Sequence, residues 1–197
     1  MKTNEVTPNF PLAEYHESGI EEYDSNILIS ALPRVLEDKE VMKNLLKKVN
    51  ITDAERALPP NYRSHSISKL DAFFQPFDFH LDYAKKIDLM LRHGYKSRNP
   101  LYKDKATKNP YLNSHADSVL LTGPSGIGKT KTTLEILSFY DQVIVHEKEN
   151  LTQVVWLKIE CPSNGSLKSL CFSFFQEIQL LLKNVKAGDY QSDPCRK

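Results

Sequence analysis

The chain has 197 residues, 40% of them hydrophobic and 10% aromatic, with a formal net charge of +1. That is enough apolar material to bury a core, which excludes global disorder. No apolar run approaches the ~18 residues of a membrane span, and the N-terminus lacks a basic-then-apolar leader; a soluble, cytoplasmic protein with no membrane partner is the expectation. The length suits one domain plus an appendage, or a piece of something larger. Three cysteines, Cys161, Cys171 and Cys195, are odd in number and lack zinc-like spacing, which fits reduced thiols. The charge is uneven: residues 1–40 carry nine acids against three bases, a balance of −6, so the remainder carries +7. A basic second part suits either an acidic partner such as nucleic acid or an ordinary solvated surface.

In chain order, residues 1–33 are rich in proline and acids with scattered aromatics, and read as an extended arm. Val35, Leu36, Val41, Met42, Leu45, Leu46 and Val49 follow helical spacing over 34–49. Thr52 followed by Glu55 forms a capping box for a short helix that Pro59-Pro60 should stop. Phe73, Phe74, Phe77 and Phe79 form an aromatic knot around Pro76. It either packs in the core, the better explanation, or lies on a nucleobase. A helix is expected over 81–92, ended by Gly94. Residues 96–117, rich in Asn, Pro and Lys, read as a loop; Lys96, Arg98, Lys103, Lys105 and Lys108 against Asp104 give it +4, for DNA or for solvent. His65, His80, His93 and His115 show no metal-like pairing.

After residue 117 the texture changes. Ser118–Thr122 reads as a short apolar strand, Lys129–Tyr140 as a helix, Gln142–His146 and Gln153–Glu160 as strands, and Ser166–Val185 as a long amphipathic helix. Strand, helix, strands, helix is the opening of a parallel α/β sheet. The expected fold is therefore α/β: an incomplete P-loop NTPase core with a parallel sheet, preceded by a helical, partly extended N-terminal region. The boundary is placed between residues 1–62, an acidic arm with helices, and 63–197, the nucleotide-binding part.

The most informative string is Gly123-Pro124-Ser125-Gly126-Ile127-Gly128-Lys129-Thr130, a full match to G-x-x-x-x-G-K-[ST]. Gly123, Gly126 and Gly128 permit the tight turn that aims backbone amides at phosphate oxygens, and the following helix adds the positive end of its dipole. Lys129 would bridge the β- and γ-phosphates of ATP, and the Thr130 hydroxyl would hold Mg²⁺. The chain has only seven glycines, so an accidental octet in this strand-to-helix context is improbable on composition. Hydrolysis would need a second motif, an apolar strand ending in Asp and commonly Glu. Val143-Ile144-Val145-His146-Glu147 has the apolar run but a His in the Asp position, and Val154–Ile159 ends in Glu160 and then turns through Cys161-Pro162. The expectation is the N-terminal part of a larger ATPase, lacking its catalytic acids and unable to turn over ATP alone.

Several further strings, in order, resemble the TnsC/TniB family of AAA+ ATPases that regulate DNA transposition. They are Ala31-Leu32-Pro33, Phe74-Gln75-Pro76, Arg92 to Pro100, Gln142 to His146, Gln153 to Ile159, and Asn164 to Lys168 leading into Phe174-Phe175. They cover about residues 25–180. The resemblance implies ATP binding, assembly as a homo-oligomer on double-stranded DNA, and a link between a target-selector protein and the transposase. It also implies a DNA-backbone contact near Asn164–Lys168, with Lys168 as the residue; an exposed lysine on a first helical turn explains Lys168 equally well. The arm before residue 62 would bind partners, again by resemblance. The catalytic acids and arginine finger of such proteins are absent from this chain. Two rivals stay open. A helicase-loader ATPase has a similar design, while a small-molecule kinase would need lid arginines, and arginine occurs only at positions 34, 56, 63, 92, 98 and 196.

Overall fold

The computed structural model describes residues 10–96, 98–101 and 117–182. The chain divides into two compact units, one formed by Glu14–Tyr140, the other by Met1–Ala13 with Asp141–Lys197.

In the first unit the expected extended arm is partly helical, with α1 at Glu21–Asp24 and α2 at Ile27–Ser30. Asn26 explains the second of these. Its side-chain oxygen accepts from the Leu28 amide at 3.0 Å, capping the helix, while its side-chain nitrogen donates to the Tyr95 carbonyl at 2.8 Å. α3 spans Asp38–Leu45 and buries Val41 and Leu45. α4, Asp53–Arg56, carries the expected capping box: the Glu55 amide donates to the Thr52 hydroxyl at 3.3 Å, and the Thr52 amide to the Glu55 carboxylate at 2.9 Å. Lys69 and the Thr52 amide hold the Glu55 carboxyl down to about 2. α4 ends at Arg56, ahead of Pro59-Pro60 as expected, and Pro60 then starts α5, Pro60–Ser66, where a first-turn proline lacks only an amide that has no helical partner. A 3₁₀ turn over Ile67–Ala72 follows.

α6, Asp78–Lys96, is the spine of this unit; it packs against α1, α2, α3 and α7 (Lys129–Leu137). Its buried residues, His80, Ala84, Ile87 and Arg92, recur at helical spacing and define one face. Gly94 does not end it. The last turn is held from outside, by Asn26 on the Tyr95 carbonyl and by the Lys96–Glu22 ion pair. These contacts outweigh the roughly 1 kcal/mol that a helical glycine costs relative to alanine. Leu28, Ile29, Leu32, Leu45, Phe74 and Ile136 fill the core with α6. At its edge, Arg92 (3% exposed) places Nε 3.0 Å from both Asp88 oxygens, donates to the Pro33 carbonyl at 2.6 Å and lies over the Tyr23 ring; Tyr140 donates to Asp88 at 2.9 Å. Burial first, and then the Asp88 charge, push the Tyr140 phenol above its ordinary range.

The second unit corrects the expectation of a parallel sheet. β1, Val143–His146, pairs with β2, Leu151–Val154, in an antiparallel hairpin with Val143 opposite Val154 and His146 opposite Leu151. The intervening Asn150 takes a positive φ of 49°, which asparagine tolerates better than most residues. The other edge of β1 is occupied by the segment at Leu12: the Val145 amide donates to the Pro11 carbonyl at 3.0 Å and the Ala13 amide to the Val145 carbonyl at 2.9 Å. That contact is an isolated parallel bridge between Leu12 and Val145, so β1 has an antiparallel strand on one edge and a single parallel bridge on the other. Ser118–Thr122, expected as a strand, is irregular, and Leu120 is 87% exposed. The strand expected over 153–160 is displaced as well, to 151–154. α8, Leu167–Leu181, begins where Ser166 accepts from the Ser169 amide at 3.4 Å.

Candidate phosphate-binding site

The octet folds as a turn leading directly into α7. Ser125 and Gly126 form the turn, Ile127 bends, and Gly128 is the N-cap. Gly126 and Gly128 have φ of 81° and 90°, the left-handed region in which a side chain is strained, so the sequence pattern and the backbone agree at both positions. The first helical bond of α7 runs from the Thr132 amide to the Gly128 carbonyl at 2.8 Å. The amides of Lys129, Thr130 and Lys131 therefore precede the helical ladder, which is where a helix end attracts an anion. Gly123, Pro124, Ser125, Gly126 and Ile127 are exposed, as is Thr130, while Gly128 and Lys129 are half-buried.

Lys129 folds back over this loop. Its ammonium donates to the carbonyls of Gly123 and Pro124, both at 2.8 Å, so the charge sits over the loop. These residues fit a phosphate chain and its magnesium ion. An ammonium, a helix N-terminus and an exposed first-turn hydroxyl at Thr130 are grouped on one short segment, and a side chain added at Gly126 or Gly128 would meet open space within 4 Å.

The other expected site residues are placed as follows. His146 is 1% exposed and bonds Gln153 across the hairpin at 2.9 Å, so it is a buried hairpin residue at the position where a catalytic acid would stand. Glu160 is exposed beside Lys158. Lys168 is exposed on the first turn of α8, after Gly165 (φ 64°) and Asn164, whose side chain accepts from the Ser166 amide at 3.0 Å. The aromatic knot divides: Phe74 is 7% exposed and belongs to the core, whereas Phe73, Phe77 and Phe79 are 44%, 58% and 58% exposed, the last two stacked with centroids 6.1 Å apart. Core packing thus explains one ring of the four. Most of the basic 96–117 loop, with Lys103, Lys105, Lys108 and His115, lies outside the described residues, as does Cys195. Among the described residues no cluster of His, Cys, Asp or Glu is arranged for a metal ion, and no helix is long and apolar enough to cross a membrane.

Sequence reasoning missed the residues that hold α7 from outside. Lys131 donates to the Asp71 carbonyl at 2.5 Å and the Phe73 carbonyl at 2.9 Å, Tyr83 meets Thr133 at 2.9 Å, and Lys47 pairs with Glu135. Nothing in their spacing announces these contacts, since each joins positions at least 50 residues apart.

No curated protein matches the chain. A family model described as an AAA domain matches residues 112–196, a stretch that contains the whole octet and the helix it opens. The sequence motif, the turn-to-helix geometry and this match agree on a nucleotide-binding, P-loop domain of the AAA ATPase type.

Proposed function

We propose that this chain is a nucleotide-gated regulator of DNA transposition, binding ATP with Mg²⁺ through Gly123–Thr130. The observation that carries the nucleotide half is the Lys129 ammonium held over a glycine turn at the start of α7. In this reading Lys129 exchanges two neutral carbonyls for phosphate oxygens, a stronger charge-assisted interaction. The helix N-terminus receives the adjacent phosphate. Thr130 would hold Mg²⁺ through its hydroxyl, and the ion would supply neutralising charge for the phosphates. The exposed rings of Phe73, Phe77 and Phe79 are suited to a nucleobase. Lys131 ties the Phe73 carbonyl to the first turn of α7, and solvent-exposed aromatic faces favour stacking.

The transposition half is supported by the ordered strings shared with TnsC/TniB proteins. Double-stranded DNA, a transposase and a target selector are the proposed partners, with self-association on DNA. Lys168, exposed on α8, is the proposed phosphate contact, and residues 1–62 the proposed partner-binding region. The experiment measures retention of a DNA duplex with and without ATP for wild type and Lys168→Glu. Retention that requires ATP and drops in the variant supports this half; retention indifferent to both removes it.

A further inference from the structure

Resting on that nucleotide-binding reading, we infer that Tyr83 is a positioning residue for the phosphate loop, acting through Thr133 on the backbone of Lys129. The Thr133 hydroxyl donates to the Lys129 carbonyl at 3.0 Å, closing one turn of α7 back onto the residue that carries the ammonium. A hydroxyl has a single proton. With that proton committed to Lys129, the 2.9 Å contact between the Tyr83 and Thr133 hydroxyls must run from Tyr83 as donor to Thr133 as acceptor. The order is fixed: the Tyr83 phenol, the Thr133 hydroxyl, then the Lys129 carbonyl.

Tyr83 is a firm base for this chain. It projects from α6 one residue before Ala84, which is buried, and both it and Thr133 are half-buried, so competing water is partly excluded. The same first turn is fixed at a second point by Lys131. Its ammonium is committed to the Asp71 and Phe73 carbonyls, just ahead of α6. One lysine of the Lys129-Thr130-Lys131 triplet thus faces the loop, while the other anchors the helix. Lys131 lies one residue past the motif, and the geometry gives the two lysines different tasks. The Thr133 hydroxyl would otherwise bond its own helix alone, an arrangement that tends to bend the helix. Tyr83 supplies the outside partner that orients it.

The test uses the full chain with a fluorescent ATP analogue and Mg²⁺, reading affinity by anisotropy and folding by thermal melting without nucleotide. Tyr83→Phe and Thr133→Val each remove one hydroxyl of the relay and should weaken binding about three- to tenfold, the range of one hydrogen bond. The double variant should be no weaker than the weaker single variant, because both break one chain. Thr133→Ser keeps the hydroxyl and should restore wild-type affinity, a rescue that a purely packing role for the threonine methyl would not give. Melting temperatures of Tyr83→Phe and Thr133→Ser should stay close to wild type. If Lys129→Ala loses binding while Tyr83→Phe retains wild-type affinity, or if the two relay variants add independently, the positioning role is overturned and the nucleotide site stands. If wild type fails to bind, or Lys129→Ala binds as well as wild type, the nucleotide reading falls and takes this inference with it.

Discussion

Helices α6 and α8 read alike in sequence, each with apolar residues at helical spacing along one face, yet they end in opposite situations. α6 buries His80, Ala84, Ile87 and Arg92 against four other helices, whereas no residue of α8 is buried and Leu167, Phe172 and Phe175 are 77%, 67% and 50% exposed. Periodicity reports that a helix has a face to cover; it carries no information about the covering element. For α6 that element is spread over the preceding arm and the following P-loop helix. The contrast predicts that substitutions at the buried residues of α6 and α7 are felt in stability, and that the apolar face of α8 tolerates them in the isolated chain.

The largest expected effect is on the ligand. Lys129→Ala deletes the ammonium held over the glycine turn, and should weaken ATP binding on the order of a hundredfold. Titration with a fluorescent ATP analogue checks this. Melting should hardly change, because the Lys129 ammonium donates to two carbonyls of an exposed loop. Next comes Arg92→Ala. It leaves Asp88 facing Tyr140 without its cation and frees the Pro33 carbonyl, and breaking a buried pair from one side costs about 3–5 kcal/mol. Urea unfolding reads this directly. A loss below 1 kcal/mol would mean that the arm is not fastened to α6 through this contact. Ile136→Ala, at a residue with no exposed surface on α7, should cost about 2–5 kcal/mol by leaving a cavity.

These residues also show what the sequence could and could not say. The turn and helix start at the octet were legible because they are local: eight consecutive residues set the positive-φ glycines, the N-cap and the first turn of α7. The capping box at Thr52 and Glu55 was legible for the same reason. The strand expected over 118–122 misled because an apolar run alone does not supply a pairing partner. Gly94 misled because its fate depends on distant partners: Asn26 and Glu22 reach α6 from some 70 residues away. Tyr83 and Lys131 were invisible for this reason too, since nothing near them in sequence signals their partners.

A smaller effect is expected from pH. The His80 ring sits among Phe74, Phe77 and Phe79, and its Nδ1 accepts the Phe77 amide at 2.8 Å at the start of α6. Burial holds its pKa below the ordinary 6.5. The unfolded chain therefore takes up the proton first, so stability should fall as pH drops below 6.5 and level off once the folded-state imidazole also titrates. Protonation would in addition remove the acceptor for the Phe77 amide. Urea unfolding from about pH 7.5 to about pH 5.5 should show this loss in wild type, and His80→Gln should lack that component. An identical pH dependence in the two proteins would place the titrating group elsewhere.

The smallest effect is expected on α8, where the comparison is most exposed to refutation. Phe172 and Phe175 keep half or more of their surface in solvent, and the Phe174–Phe175 edge contact at 5.5 Å joins two rings of the same helix. Replacing either phenylalanine by serine removes little buried surface, so stability should change by no more than about 0.5 kcal/mol. Helix propensity shifts by less than that, since Ser and Phe rank close together. Solubility should rise, because apolar groups at this density on one helix promote association between chains. Unfolding of Phe172→Ser and Phe175→Ser, followed by light scattering across a concentration series, measures both. A loss of 2 kcal/mol or more, on the scale of a fully buried phenylalanine, would show that this face is covered in solution. The difference between α6 and α8 would then lie in what covers them rather than in whether they are covered.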